Sequence, residues 1–288
     1  MSDRTDLVER IKSALANADE CPWLPDLTAD LVKTGWRDLY KESGLSPFNY
    51  GTSRVIARSV HAHRNLVGHL STSLAVEVID EGLVSYYKDA GIEFYTAKEI
   101  TSANLLGCIE YAMNLIKRVP NLHATVAALV SSVHLIKPQD DDYDVSFSEP
   151  HIPFSIFVSV PENRSLTKEL RIAEAIVHEA MHLQLTLIDG VVPLVIETSK
   201  KTYSPWRGGY RNLGGVLHAL YVFRVIDRFL EYLLSIDSYP AAQLIYLRGR
   251  IAEIEEQIRT VQTLYRSSEL TMDGASFVRR LIHNSALA

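Results

Sequence analysis

The sequence predicts a mainly α fold, α+β in detail, with one small strand element placed just before a central helix. Three observations carry that expectation. The 288 residues include only 14 Gly and 11 Pro, below their average joint usage of about 12%, so few positions break a helix. Apolar residues recur at helical spacing over long stretches. One run, Ile152 to Val160, is instead β-branched and aromatic and lies between Pro150 and Pro161, which predicts a short strand.

Taken in order, residues 52–90 place Val55, Ile56, Val60, Leu66, Leu70, Leu74, Val76 and Ile79 at helical spacings, and residues 96–119 and 122–136 continue the pattern as core helices. Between Pro138 and Glu149 the residues Asp140, Asp141, Asp142 and Asp144 form an acidic run without apolar period, which predicts a solvated loop. It is no calcium loop, because Val145 stands where the tight turn needs Gly and His151 where the bidentate Glu belongs. Pro161-Glu162-Asn163 then opens a helix over 166–188, and Asp189-Gly190 stops it. The segment KTYSPWRGGYRNLGG, 201–215, is too punctuated for regular structure. A second strong helix spans 216–235 with Arg224, Asp227, Arg228 and Glu231 on one stripe, and 241–266 predicts a further amphipathic helix. No repeat appears. A single domain over 1–288 is expected, with a helical part at 1–140 and a functional core at 150–235.

Composition narrows the function classes. With 29 basic and 35 acidic residues the net charge is −6, and no Lys/Arg cluster offers a nucleic-acid surface. The longest apolar stretches, 125–130 and 191–196, fall far short of the roughly 18 residues that read as a membrane span. The opening MSDRTDLVER carries Asp3, Asp6 and Glu9 where a secretion signal needs a basic start and an apolar run. Cys21 and Cys108 are too few for a disulfide scaffold or a Cys-rich metal site, so a reducing, cytoplasmic setting is expected.

The chemistry concentrates in VHEAMHLQL. His178, Glu179 and His182 form H-E-x-x-H on a predicted helix, and four-residue spacing places both imidazoles on one face, one turn apart. That is a divalent-metal signature. A third ligand is needed, and Leu185 and Ile188 exclude the metzincin continuation. Glu197 is one candidate, in a poor helical context. His218 is the other: at about 100° per residue it lies roughly 130° from the centre of the charged stripe of its helix, which predicts that it points inward. The sequence holds no P-loop, dinucleotide fingerprint or serine-hydrolase order.

Together, VHEAMH at 177–182, YSPWRGGYR at 203–211 and GGVLHALYVF at 214–223 resemble the HExxH-type peptide-modification family, iron(II)- and 2-oxoglutarate-dependent β-hydroxylases associated with ribosomally made peptides. The resemblance covers residues 150–235. It implies that His178, His182 and His218 are the metal ligands, in a site between two central helices, and that Arg207 and Arg211 are the paired arginines of the loop. Gly208-Gly209 and Asn212 stand where the family usually has prolines, and Ala219 where it has Gly after the histidine. An iron(II) oxygenase needs three protein ligands on one face, leaving positions for 2-oxoglutarate and dioxygen. Three histidines supply that face, although two His and a carboxylate are usual. Glu179 is then a proton handler or orienting group beside the metal, with a ligand role for it or for Glu197 still open. The distal carboxylate of 2-oxoglutarate calls for a fixed guanidinium, Arg207 or Arg211, and Tyr203 and Ser204 add hydroxyls. The expected substrate is an amino-acid side chain, in a peptide or a small amino-acid-like molecule. Two other readings compete: a zinc hydrolase with Glu179 as general base, and a non-catalytic helical binding protein keeping a vestigial site.

Overall fold

A computed structural model describes residues 2–17, 21–42, 65–69, 74–79, 84, 87–139, 144–148, 154–161, 165–196, 199–236 and 238–283. They are mostly helical, with a small sheet that is parallel at its centre. The chain divides into two compact units, Val32–Leu183 and the pair Met1–Leu31 with Gln184–Ala288.

The unit Val32–Leu183 is built on five strands, β1 (Asn65–His69), β2 (Ala75–Val78), β3 (Ser132–Ile136), β4 (Ser146–Ser148) and β5 (Ser155–Ser159), in the spatial order β1-β2-β3-β5-β4. β2, β3 and β5 run parallel and both edge strands antiparallel. β5 is the strand expected at 152–160. β1 and β2 correct the helix expected over 52–90 at 65–69 and 75–78, and β3 corrects the helix expected over 122–136 at 132–136, while 52–64, 70–73, 80–83, 85 and 86 lie outside the described residues. The reason is physical: β3 is buried at all five positions, as strands covered on both faces are, and a short apolar run of that kind carries no period that separates strand from helix. β4 corrects the solvated loop expected over 138–149 at 146–148 only. Asp140, Asp141 and Asp142 lie outside the described residues, and Asp144 forms a two-pronged pair with Arg171 at 2.7 and 2.9 Å.

Helices α3 (Ala97–Ser102), α4 (Leu105–Lys117) and α5 (Leu122–Leu129) follow β2. The helix expected over 96–119 is broken at Asn104, which takes a left-handed φ of 53°. A capping box starts α3: the Glu99 amide donates to Thr96 Oγ1 at 3.3 Å, and the Thr96 amide donates to Glu99 Oε2 at 2.8 Å. Lys137 Nζ meets the other Glu99 oxygen at 2.7 Å. The Lys137 ammonium and the Thr96 donors hold the Glu99 carboxyl down to about 2, so its stabilisation is present above the ordinary carboxyl range and is lost as pH falls through about 2. Glu99→Gln is therefore expected to cost about 1 kcal/mol at neutral pH, and chemical denaturation of both proteins should show the difference closing as pH falls from about 4.5 towards 2.

α6 (Lys168–Asp189) is the helix expected at 166–188, and it begins in this unit and ends in the other. The second unit also holds α1 (Ser2–Ala16), the first turns of α2 (Pro25–Glu42), a hairpin of β6 (Thr202–Ser204) and β7 (Gly209–Arg211), α7 (Leu213–Ile236), α8 (Ala241–Thr260), a 3₁₀ turn at Leu264–Arg266 and α9 (Met272–His283). Gln184 ties these pieces together: Nε2 donates to the Trp23 carbonyl at 2.9 Å and to Thr28 Oγ1 at 2.8 Å, while Oε1 accepts from the buried Tyr221 hydroxyl.

Three expectations change here. Within the 201–215 segment, 202–211 form a hairpin, because Pro205, Gly208 and Gly209 punctuate its turn, where Gly208 takes φ 59°, and from Leu213 the segment already belongs to α7. The helix expected over 241–266 ends at Thr260, and α9 was not legible. The charged stripe of α7 is not its solvent face: Arg224, Asp227 and Arg228 are only 5%, 1% and 5% exposed. Arg224 is held by Asp227 at 2.7 Å and by the Leu281 carbonyl at 2.7 Å, which satisfies its buried charge. Among the described residues no helix is long and apolar enough to cross a membrane.

Candidate functional site

The H-E-x-x-H residues lie on α6 in the unit Val32–Leu183. His178 and His182 face the same side, one turn apart, with Nε2 atoms 3.1 Å apart and ring centroids 4.7 Å apart. Two nitrogens each about 2.1 Å from one octahedral cation and at right angles are about 3.0 Å apart, so the observed separation fits a pair of ligands to one ion. Both imidazoles are partly exposed.

Glu179 is buried, 3% exposed. Its Oε1 accepts from Ser146 Oγ at 2.7 Å and lies 3.9 Å from His178 Nε2. Ser148 is a second hydroxyl partner, and burial pushes the carboxyl up to about 7 against the pull of the two serines. Ser146 and Ser148 sit on the same side of β4, two residues apart. Sequence reading missed both, because the segment carrying them looked like a solvated loop.

In the other unit, the β6–β7 hairpin pairs Thr202 with Arg211, Tyr203 with Tyr210 and Ser204 with Gly209. Alternation along the strands therefore puts Arg211 and Ser204 on one face and the two tyrosines on the opposite one. The exposures agree: Ser204 is wholly buried, while Tyr203 is 46% and Tyr210 75% exposed, their rings 5.7 Å apart. This separates Tyr203 from the group with which the sequence reading placed it. Arg207 is exposed in the turn. Arg211 is half-buried and packs so closely on α7 that a Cβ on Gly215 would lie 2.4 Å from its Nε and 2.7 Å from its Cζ. Gly215 is thus a third residue, after Ser146 and Ser148, that the sequence did not single out.

His218, one turn further along α7, is half-buried. Burial lowers its pKa, Asp189 opposes that shift, and the Arg211 guanidinium adds to it. A neutral imidazole is the form that binds a metal. The premise that placed His218 inward, a solvated charged stripe, does not hold, since that stripe is itself buried. Two buried polar atoms in the hairpin have no hydrogen-bond partner, Ser204 Oγ and Trp206 Nε1. The Trp206 ring stacks on Phe223 of α7 at 5.7 Å and 1°. A hydroxyl and an indole N–H buried without partners are costly, and a ligand atom is one way to satisfy them.

Among the described residues no group of three or more His, Cys, Asp or Glu side chains is arranged to hold a metal ion; the structure brings together His178 with His182 in one unit and Arg211 with His218 in the other. Glu197 lies outside the described residues, as does His151. No protein-family model matches the sequence, and no curated protein matches it.

Proposed function

We propose that this chain is an iron(II)- and 2-oxoglutarate-dependent oxygenase that hydroxylates an amino-acid side chain, in a peptide or a small amino-acid-like substrate, in the cytoplasm. The observation that carries the reading is a half-buried Arg211 packed against Gly215, on the same face of the hairpin as the unpartnered hydroxyl of Ser204, with Gly215 one helical turn from His218; we read this as a cradle for an anion. His178, His182 and His218 would hold the metal. Iron(II) held there would supply dioxygen activation, coupled to conversion of 2-oxoglutarate into succinate and carbon dioxide, with the second oxygen atom going to a substrate C–H bond.

The protein's own groups have separate tasks. Arg211 offers a two-pronged N–H fork to the distal carboxylate, and Ser204 donates its hydroxyl to the same group, which satisfies a buried donor. The Trp206–Phe223 stack gives this side of the hairpin an apolar wall that limits water. Glu179, gripped by Ser146, keeps its carboxyl in a fixed position beside His178 Nε2, as partners of metal-binding groups do.

A second reading, a zinc hydrolase, is favoured by the 3.9 Å between Glu179 Oε1 and His178 Nε2, since a general base must stand beside the metal-bound water. Anaerobic titration separates the two. Iron(II) and then 2-oxoglutarate added without dioxygen should produce a visible absorption band that neither gives alone. Iron-loaded protein that yields no band on addition of 2-oxoglutarate contradicts the oxygenase reading.

A further inference from the structure

We propose that the face formed by α8, the 3₁₀ turn and α9 binds a small, multiply charged oxyanion, in a cavity of about 540 Å³ lined by Arg224, Glu255, Arg259, Tyr265, Arg266 and His283. The volume lies within the range of about 300 to 1,000 Å³ typical of small-molecule sites. Its charge is the informative feature. In a chain of net charge −6, three arginines and a histidine face one cavity, and among the described residues Glu255 is the one carboxylate that lines it. Asp227 already meets Arg224, and Glu255 and Glu256 meet Arg259, so Arg266 is the lining arginine that meets no carboxylate among the described residues, and an anion beside it would lower the energy of the group.

The donors are arranged for such a guest. Arg224 is buried, and its bonds to the Leu281 carbonyl and to Asp227 run through Nε and Nη1, so they do not use its second terminal nitrogen. Arg266 commits Nε to the Tyr265 hydroxyl at 3.1 Å, which holds its fork in place over the ring. Tyr265 is the organising ring: the guanidinium carbons of Arg266 and Arg279 lie 5.4 and 5.1 Å from its centroid, and the His283 ring lies 5.9 Å away. Stacking on an aromatic face orders guanidinium planes that would otherwise swing in water. Arg259 already meets Glu256 and Glu255, which confines it to the rim. Arg224 keeps one terminal nitrogen outside its bond to Asp227, and Arg266 keeps both terminal nitrogens outside its bond to Tyr265, so two forks remain to match the oxygens of a phosphate or carboxylate group.

Isothermal titration of the full metal-free chain with pyrophosphate and, separately, with citrate tests this and tells phosphate from carboxylate. At least one should bind with millimolar or tighter affinity, and Arg266→Gln should weaken it about tenfold or more. Tyr265→Leu, which removes the ring and keeps every charge, should weaken it as well. Arg248→Gln on the exposed side of α8 should leave it unchanged. The proposal is overturned if neither anion binds, if Arg266→Gln binds like wild type with its circular dichroism intact, or if Arg248→Gln weakens binding as much as Arg266→Gln does. The oxygenase reading stands or falls separately, since none of these variants touches the residues assigned to it as ligands or cradle.

Discussion

Replacing His178, His182 or His218 with Ala is expected to abolish turnover and to lower iron(II) affinity by more than the roughly 10 to 100-fold typical of losing a partner outside the coordination sphere. The α6 pair leaves little alternative chemistry. With Nε2 atoms 3.1 Å apart, two neutral imidazoles can share one hydrogen bond or one cation, and the cation uses both lone pairs at once. Each ring is partly exposed, so truncation opens no large cavity and the helical circular dichroism should persist. Equilibrium dialysis against iron(II) reads the affinity directly. His218→Ala with undiminished iron binding would remove that residue from the metal and return the third position to Glu179 or Glu197.

Arg211→Ala carries the second large effect, an increase in the KM for 2-oxoglutarate of about tenfold to a hundredfold, as expected for the loss of a charge-assisted pair worth about 1.5 to 3 kcal/mol. Arg207→Ala should be nearly silent, because that side chain is exposed in the turn. Gly215→Ala is the sharper variant. Its Cβ would come within 2.4 Å of Arg211 Nε, so the guanidinium must leave its seat although every charged residue remains. The same rise in KM is expected, with kcat at saturating 2-oxoglutarate changed less. A normal KM in both Arg211→Ala and Gly215→Ala would show that the cradle holds something other than the cosubstrate.

How far the sequence led can be read from particular residues. α6 was legible because its start and stop signals and its H-E-x-x-H spacing all act within one helix. The sheet was not, since β3 is buried at every position and alternation disappears when both faces are covered. The grip on Glu179 comes from Ser146, 33 residues earlier in the chain, a distance at which no local pattern operates. The buried stripe on α7 misled for a related reason: Arg224 and Asp227 looked solvated until their mutual pairing and the Leu281 carbonyl were seen. The hairpin was hidden by its own turn residues. Once β6 and β7 are paired, the alternation of Tyr203 and Ser204 separates an aromatic outer face from an inner one that carries Arg211 and Ser204.

The fate of dioxygen distinguishes an oxygenase from a hydrolase. The iron-loaded chain is incubated with 2-oxoglutarate, candidate peptides and isotopically labelled dioxygen, with the His182→Ala variant as control, and the products are read by mass. The expected result is succinate carrying one labelled oxygen atom, formed above the control and only in the presence of dioxygen, together with a peptide that has gained the other. Peptide cleavage that proceeds without dioxygen, with succinate no higher than in the control, would contradict the account and establish the hydrolase reading in its place.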